Sequence, residues 1–304
     1  MIAKLREMLE LIRFSHTIFA MPFACIAAVM AITLPLPDGT NVSLGSRQII
    51  GIVLCMVFAR SAAMSFNRLA DHKIDAANPR TQARHLPRGA VSRFQVWVFT
   101  FVCCVGFILS TSLFLPNRLP LFAAVPVLLF LLGYSFAKRF TAAAHLWLGV
   151  ALSLAPICVW VALRGIDPEG LLADLMPALI LALAVATWVA GFDIIYACQD
   201  ADFDKEAGLQ SIPSRLGVPG ALRLASWFHA ATWVSLCLLP AAVPQLRLGW
   251  IYAIALSIIA GLLVYQHRIV RPDDLARVNV AFFNVNAIIS VLLLLATSID
   301  CFWL

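Results

Sequence analysis

Long apolar stretches, separated by short polar segments, occupy most of this 304-residue chain. Nine of these stretches come close to the roughly 20 residues with which an α-helix crosses the hydrocarbon core of a bilayer. The predicted spans are residues 14–34, 47–68, 94–115, 119–137, 142–164, 172–197, 220–241, 247–266 and 279–303. Because helices satisfy their own backbone hydrogen bonds in lipid, the pattern predicts an all-α, polytopic membrane helix bundle with nine transmembrane helices.

The composition supports a membrane protein. Hydrophobic residues make up 62% of the chain and charged residues 12%, more apolar surface than a soluble domain of this size can bury. The eight cysteines form no CxxC pair, so neither a zinc site nor a disulfide framework is predicted. The amphipathic segment 1–14 leads into a long apolar run with no evident cleavage site, which favours an uncleaved first span over a signal peptide.

Basic residues are distributed unequally between the two ends of the predicted spans. Of the 22 lysines and arginines, 17 lie in the N-terminal segment, in the segments that follow the even-numbered spans or at the span ends next to them. The positive-inside rule therefore predicts a cytoplasmic N-terminus, with the long basic loops on the same side. The net charge of +6 then reflects topology, and no nucleic-acid partner is predicted because these charges lie next to the membrane.

Two clusters of acidic residues lie at helix ends on this predicted cytoplasmic side. The first ladder consists of Asn67, Asp71 and Asp75, and the second ladder of Tyr196, Asp200 and Asp204. In both ladders the residues are at positions i, i+4 and i+8, which share one face of a helix.

Carboxylates at this spacing repel each other, and a divalent cation offsets the repulsion. Mg²⁺ prefers oxygen ligands and typically uses one or two carboxylates together with substrate phosphates. We therefore expect the two ladders to meet over one cavity and to hold two Mg²⁺ ions around a diphosphate.

Basic residues follow each ladder and are candidates for binding phosphate oxygens. They are Arg80, Arg84 and Arg88 after the first ladder, and Lys205 and Arg215 after the second. For any single residue a solvated loop charge is the simpler interpretation, and it is preferred for Arg88, Arg93, Asp202 and Glu206. Two carboxylate ladders together in a membrane protein indicate a functional site.

The two ladders are also separated by a constant interval in the sequence, because Asp200 and Asp204 lie 129 residues after Asp71 and Asp75, respectively. This interval favours an internal repeat of helices 1–4 and 5–8, with helix 9 added. The predicted organisation is a single membrane domain over residues 1–304.

At these residues the sequence resembles the UbiA superfamily of intramembrane prenyltransferases. The family signature N-x-x-x-D-x-x-x-D is matched by the first ladder, and D-x-x-Y-x-x-x-D-x-x-x-D by Asp193 together with the second ladder. The segments "RTQARHLPRG", "YSFAKRFT" and "GLQSIPSRLG" are also similar, although His85 stands where the family pattern has its first proline. The nearest branch is similar to 4-hydroxybenzoate polyprenyltransferases, including relatives in menaquinone biosynthesis.

The resemblance implies Mg²⁺-dependent transfer of a polyprenyl group from a polyprenyl diphosphate to a hydroxylated aromatic acid, in ubiquinone or menaquinone biosynthesis. It also implies an integral protein of the bacterial cytoplasmic (inner) membrane whose active site faces the cytoplasm. The partners are then the diphosphate, the acid (of the 4-hydroxybenzoate or dihydroxynaphthoate type) and the lipid bilayer.

The resemblance also assigns roles to residues. The residues that hold metal are Asn67, Asp71, Asp75, Asp200 and Asp204. The residues that hold diphosphate are Arg84 and Lys205, with Arg80 and Arg215 as weaker candidates. Asp193 orients the acceptor's phenol or assists deprotonation, and the ring of Tyr196 lines the path of the allylic cation. Arg139, with Lys138 beside it, is the candidate for binding the acid's carboxylate. Ordinary positive-inside anchoring explains Lys138 and Arg139 almost equally well. For Arg13 and His16, near the first span, such anchoring is a better explanation than contact with the acid.

Two other functions remain open at this point. A secondary transporter could use the aspartates to bind ions, but transporter sites usually lie near the bilayer midplane on broken helices, whereas these carboxylates lie at helix ends. A prenyltransferase with a different acceptor, such as haem or a chlorophyll precursor, would carry the same motifs.

Overall fold

The fold is known from a computed structural model, which describes residues 7, 10–11, 21–36, 38–166 and 171–303. Within these residues the chain is helical, without a β-strand and with one isolated bridge between Arg271 and Asp274. The α-helices are α1 Met21–Thr33, α2 Ser46–Ala70, α3 His72–Ala77, α4 Arg93–Thr111, α5 Leu119–Ala137, α6 Ala144–Arg164, α7 Leu171–Ala197, α8 Ala201–Glu206, α9 Ile212–Ala242, α10 Trp250–Ile269 and α11 Asn286–Trp303. Shorter 3₁₀ helices cover Ser112–Phe114, Cys198–Asp200 and Pro244–Leu246, and a π-helix covers Val280–Val285.

Eight of the described helices are long and apolar enough to cross a membrane, which confirms the prediction of an all-α membrane protein. The remaining predicted span, 14–34, is described from Met21 onward as the 13-residue helix α1. Its first residues lie outside the described part of the chain, as do Arg13 and His16. Large apolar side chains such as Phe94, Phe122 and Trp227 are exposed on the helices, as suits a surface that faces lipid.

Most predicted boundaries agree with the structure within a few residues, but α9 begins at Ile212 rather than at residue 220. Its first turn is stabilised by a capping box in which the side chains of Ser211 and Ser214 bond to each other's backbone N–H. Gly217 then has φ of 67°, which kinks the helix. The Gly and Pro residues that signalled a loop therefore mark a bend inside a helix.

The helices form two compact units, and the first comprises residues 1–18 and 45–136. In this unit α2 packs along α4, and Ala124 and Leu128 of α5 join their apolar core. The Thr100 hydroxyl of α4 donates a hydrogen bond of 2.8 Å to the Ser65 hydroxyl of α2, a polar link of the kind that joins helices in lipid. This packing supports the end of α2, where the first ladder begins.

The second unit comprises residues 19–44 and 137–304, and α7 is its most buried helix. It packs against α6 on one side and α9 on the other. Gly149 of α6 permits the close approach, because a Cβ atom there would collide with the backbone carbonyl oxygen of Ala186. Small residues at such crossings bring helix backbones together in membranes. The second ladder begins in the last turn of this tightly held helix.

Candidate active site

The two ladders share a backbone feature at their middle carboxylate. Helix α2 ends at Ala70 and α3 begins at His72, so Asp71 lies between them with φ of −93° and ψ of 5°. Asp200 is the last residue of the 3₁₀ helix Cys198–Asp200 and directly precedes α8, with φ of −108° and ψ of 9°. This bridge region of backbone space is sparsely populated, and active-site residues often adopt it. Each predicted continuous helix is therefore interrupted at the residue expected to bind metal.

In the first ladder the interruption preserves the spacing. The Asp71 N–H donates to the Asn67 carbonyl at 2.9 Å, and the Asp75 N–H to the Asp71 carbonyl at 2.7 Å. The Asn67 side-chain amide also reaches Oδ2 of Asp71 at 3.4 Å. The three side chains therefore keep the common face that the i, i+4, i+8 pattern predicted.

Both carboxylates of the first ladder are almost fully buried, at 3% exposure for Asp71 and 4% for Asp75. Arg84 donates to Oδ1 of Asp75 at 2.7 Å, and Nη1 of Arg68 lies 3.6 Å from Oδ2. Burial of an ionised carboxylate is costly unless cations or hydrogen bonds compensate it, and these arginines supply the compensation. Arg84 is thus beside the first ladder, as predicted, and Arg68 is a neighbour that the sequence analysis did not assign.

The loop after the first ladder is held by short-range hydrogen bonds. The Thr81 hydroxyl donates to the Asp75 carbonyl at 2.9 Å, and the Arg80 N–H donates to Oδ1 of Asn78. The Arg80 side chain is exposed, whereas Arg84 is directed back to Asp75. Arg80 and Arg84 look equivalent in the sequence, but the backbone path of this loop places their side chains in different surroundings.

The second ladder is half-buried. Asp200, Asp204 and Tyr196 are all of intermediate exposure, and Lys205 is exposed on α8. The Ser211 side chain bonds to Asp204, and Asp200, Lys138 and His145 lie close enough to interact with it electrostatically. The predicted metal-binding residues of this ladder and Lys138 are thus brought together within the second unit.

The other predicted basic residues of this unit have different surroundings. Arg215 donates two hydrogen bonds to Oε1 of Gln210, at 2.8 and 2.6 Å. The Gln210 N–H in turn donates to the Lys138 carbonyl at 2.7 Å, which fixes the chain around that lysine. Arg139 is exposed, next to the partly buried Lys138.

The Tyr196 ring lies at one end of a row of aromatic side chains. Its centroid is 4.5 Å from that of Phe282, which in turn lies 5.1 Å from Phe192. Phe192 is four residues before Tyr196 on α7, and Trp188 continues the row at 5.0 Å. Phe282 belongs to the π-helix, a form that often occurs at functional sites. Tyr196 is the one member of this row that a sequence motif identifies; the other rings are brought to it by packing.

Asp193 forms a pair that the sequence analysis missed. Its Oδ2 lies 2.7 Å from Nδ1 of His145, a buried residue in the first turn of α6. A histidine at the start of an apolar span is a recognisable signal in a membrane protein. Its partner 48 residues later is identified only by the packing of α6 on α7.

A metal-binding role is compatible with the donor set. All four ladder aspartates offer hard oxygen ligands, the type that Mg²⁺ prefers. Among the described residues, Oδ2 of Asp75 accepts no hydrogen bond although it is buried, and its ion-pair partner Arg68 lies 3.6 Å away, so a cation that replaces Arg68 can bind this oxygen. The first ladder therefore fits a divalent metal ion at Asp75 without displacing its bond to Arg84.

Comparison with known proteins identifies the family of this chain. Residues 20–304 match the UbiA prenyltransferase family. The 4-hydroxybenzoate octaprenyltransferase of Nitrosomonas eutropha is 31% identical over 79% of this chain and 79% of its own length. That of Nitrosospira multiformis is 32% identical over 77% of this chain and 76% of its own length.

Solved structures show the same fold. A UbiA homolog from Aeropyrum pernix K1 has a TM-score of 0.81 and 31% identity, and the match covers 94% of this chain and 98% of the homolog. A UbiA homolog from Archaeoglobus fulgidus bound to DMAPP and Mg²⁺ has a TM-score of 0.71 at 16% identity, covering 98% and 100% of the two chains. With these matches and its helices, the chain belongs to the UbiA prenyltransferase family and is an integral membrane polyprenyltransferase.

Proposed function

We propose that this polyprenyltransferase transfers the polyprenyl group of a polyprenyl diphosphate to a ring carbon of 4-hydroxybenzoate, with Mg²⁺, in ubiquinone biosynthesis. The observation that carries the proposal is the pair of ladders, each with its middle aspartate at the same backbone break. The acceptor is proposed from the relatives, which are named 4-hydroxybenzoate octaprenyltransferases. A dihydroxynaphthoate acceptor, as in menaquinone biosynthesis, is the alternative that the test below distinguishes.

The metal-binding residues in this proposal are Asn67, Asp71 and Asp75 of the first ladder and Asp200 and Asp204 of the second. When bound there, Mg²⁺ neutralises the diphosphate and so makes it a better leaving group. Arg84 and Lys205 bind diphosphate oxygens that the metal leaves free, with Arg80 and Arg215 as further contributors. Arg84 also holds Asp75 in place, and this double role distinguishes it from the exposed Arg80.

The reaction breaks the carbon–oxygen bond of the prenyl diphosphate and one ring carbon–hydrogen bond, and it forms one carbon–carbon bond. The bond between C1 of the prenyl group and the diphosphate oxygen breaks, and its electron pair leaves with the diphosphate. The ring carbon next to the acceptor's hydroxyl donates a pair to C1, which forms the new carbon–carbon bond. The proton of that ring carbon passes to the Asp193 carboxylate and then to solvent, so the products are prenylated acid, diphosphate and one proton.

Other side chains guide the cation and the acceptor. Tyr196 presents its ring to the allylic cation, since aromatic faces attract cations. Arg139, with Lys138, binds the carboxylate of the acid. A site inside a helix bundle excludes water, which would otherwise capture the cation. The excess of basic residues near the site supports a cytoplasm-facing active site in the bacterial inner membrane.

The test uses membranes that contain the protein, a polyprenyl diphosphate and either 4-hydroxybenzoate or a dihydroxynaphthoate. C-prenylated product is measured with Mg²⁺ and with EDTA. We expect Mg²⁺-dependent product from 4-hydroxybenzoate. Product from the naphthoate alone would assign the menaquinone route, and product from neither acid with several prenyl lengths would refute an aromatic-acid acceptor.

A further inference from the structure

His145 joins three parts of the second unit. It lies in the first turn of α6 and is 5% exposed. Its Nδ1 is 2.7 Å from Oδ2 of Asp193 on α7, and its Nε2 is 3.3 Å from the backbone nitrogen of Ile212, the first residue of α9. One imidazole therefore connects the candidate base to two helix starts.

The geometry assigns the imidazole proton. The backbone N–H of Ile212 can only donate, so Nε2 of His145 must accept and carries no hydrogen. In a neutral imidazole the proton is then on Nδ1, which donates to Asp193. The hydrogen bond occupies the Oδ2 atom of the carboxylate. Among the described residues this is the one hydrogen bond that Asp193 makes, and Oδ1 is left for another donor.

The contact with Ile212 ties this pair to the second ladder. Ile212 follows Ser211, whose side chain both caps α9 and bonds to Asp204. The first N–H groups of a helix lack partners within the helix, and His145 supplies one for Ile212. A displacement of His145 would therefore disturb Asp193 directly, and Asp204 through the start of α9.

We propose that His145 is a positioning residue for prenyl transfer, which holds Asp193 in one rotamer so that Oδ1 receives the acceptor's proton. This inference rests on the proposed function. It gives Asp193 a neutral hydrogen-bonding partner, in contrast to Asp75, which is paired with arginine. A neutral partner orients a carboxylate and leaves its negative charge uncompensated, as a base requires.

Three substitutions separate the two bonds of the imidazole. In His145→Asn the side-chain amide nitrogen takes the place of Nδ1, so it keeps the donor to Asp193 and loses the acceptor for Ile212. In His145→Gln the amide reaches the place of Nε2, so it can accept from Ile212 and no longer donates to Asp193. His145→Ala removes both bonds.

The experiment measures kcat, the KM for prenyl diphosphate and the melting temperature of the purified variants in detergent. We expect His145→Gln and His145→Ala to lose about 10- to 100-fold in kcat, the effect of one hydrogen bond to a charged group. The KM for prenyl diphosphate should stay unchanged in His145→Gln, which keeps the bond to Ile212, and should rise in His145→Asn and His145→Ala, which lose it. His145→Asn should keep most of the turnover. Ser153→Ala is the matched control, because Ser153 is a buried polar residue of α6 whose hydroxyl bonds within its own helix.

The outcomes distinguish the two proposals. If the wild type makes product and all three variants have the same kcat, the positioning role of His145 is refuted and the proposed function stands. A kcat that follows melting temperature regardless of which bond is kept would also refute that role, since that is the behaviour of a purely structural residue. Wild type without product from any acceptor would refute the proposed function, and the positioning role with it.

Discussion

The two ladders have the same spacing but different surroundings. Asp71 and Asp75 are almost fully buried, and Asp75 is paired with Arg84 and Arg68. The carboxylates of the second ladder are half-buried and have a serine and a lysine nearby, and the adjoining Asp193 is bonded to a neutral histidine. Identical spacing therefore leads to two electrostatic environments, because different residues surround the two ladders. They are Arg68 and Arg84 at the first ladder, and Lys138 and Ser211 at the second.

This difference suits a division of labour. Arginine beside a buried carboxylate holds negative charge in place and can also bind a phosphate oxygen. A carboxylate that is bonded to histidine through one oxygen and has no cation at the other can accept a proton there. We therefore expect the first ladder to serve the diphosphate alone, and the region around the second ladder to serve both the diphosphate and the acceptor.

The largest effect is expected when the carboxylate at the middle of either ladder is neutralised. Asp71→Asn and Asp200→Asn should each lower product formation by about 10²- to 10³-fold, as loss of a main electrostatic contact to the leaving group does. Mg²⁺-dependent product in membranes is the measurement, with protein content checked by immunoblot. Asp202→Asn is the matched control, because this exposed carboxylate lies two residues after Asp200, in α8, and off the ladder spacing. Full activity in either ladder variant would contradict a metal-binding role.

Removal of the arginine that pairs with the first ladder should have the next largest effect. Arg84→Gln loses the 2.7 Å contact with Asp75 and a phosphate-binding charge together. We expect kcat/KM for prenyl diphosphate to fall about 10- to 100-fold. Arg88→Gln, four residues later, should remain near wild type because that guanidinium contacts Glu7. Equal losses in both variants would indicate a general effect of loop charge.

The aromatic row of the second unit offers a test that does not involve the ladder carboxylates. Tyr196→Ala removes the ring that lies against Phe282 and should lower kcat about 10-fold, the scale of a desolvated cation–π contact. Tyr196→Phe keeps the ring and should remain within about threefold of wild type. Steady-state kinetics of the two variants compares them directly. A phenylalanine variant as impaired as the alanine variant would assign the role to the hydroxyl group.

The smallest effect concerns the acceptor's carboxylate. Arg139 is exposed, so solvent screens its interactions, and Arg139→Ala should raise the KM for 4-hydroxybenzoate about two- to fivefold. The KM for prenyl diphosphate should not change. With 4-hydroxybenzamide, which lacks the charge, the variant and the wild type should behave alike. A rise of equal size with the amide would show that Arg139 does not recognise the carboxylate.

Features that depend on regular spacing were predictable from the sequence. The transmembrane helices follow from apolar run length, and the shared faces of the ladders follow from the helical repeat. Arg84 was singled out by the family pattern, and the structure places it on Asp75. The break at Asp71 was not predictable, because the backbone hydrogen bonds on both sides of it still follow the helical pattern.

Features that depend on packing between distant segments were missed. His145 and Asp193 are 48 residues apart, and their contact exists because α6 and α7 lie together through Gly149. Phe282 reaches Tyr196 from a π-helix near the other end of the chain. Hydrophobic periodicity indicates which face of a helix is buried, but it does not indicate which helix covers that face.

The most direct test of the division of labour separates ionisation of the diphosphate from loss of the ring proton. The measurement is positional exchange in a polyprenyl diphosphate labelled with ¹⁸O at the oxygen bonded to C1, with Mg²⁺ and 4-hydroxybenzoate present. Reversible cleavage of that bond moves the label to the other oxygens of the same phosphate. We predict that Asp193→Asn exchanges label but makes little prenylated acid, whereas Asp71→Asn and Asp200→Asn do neither. Exchange that persists in the ladder variants, or disappears in Asp193→Asn, would contradict the account.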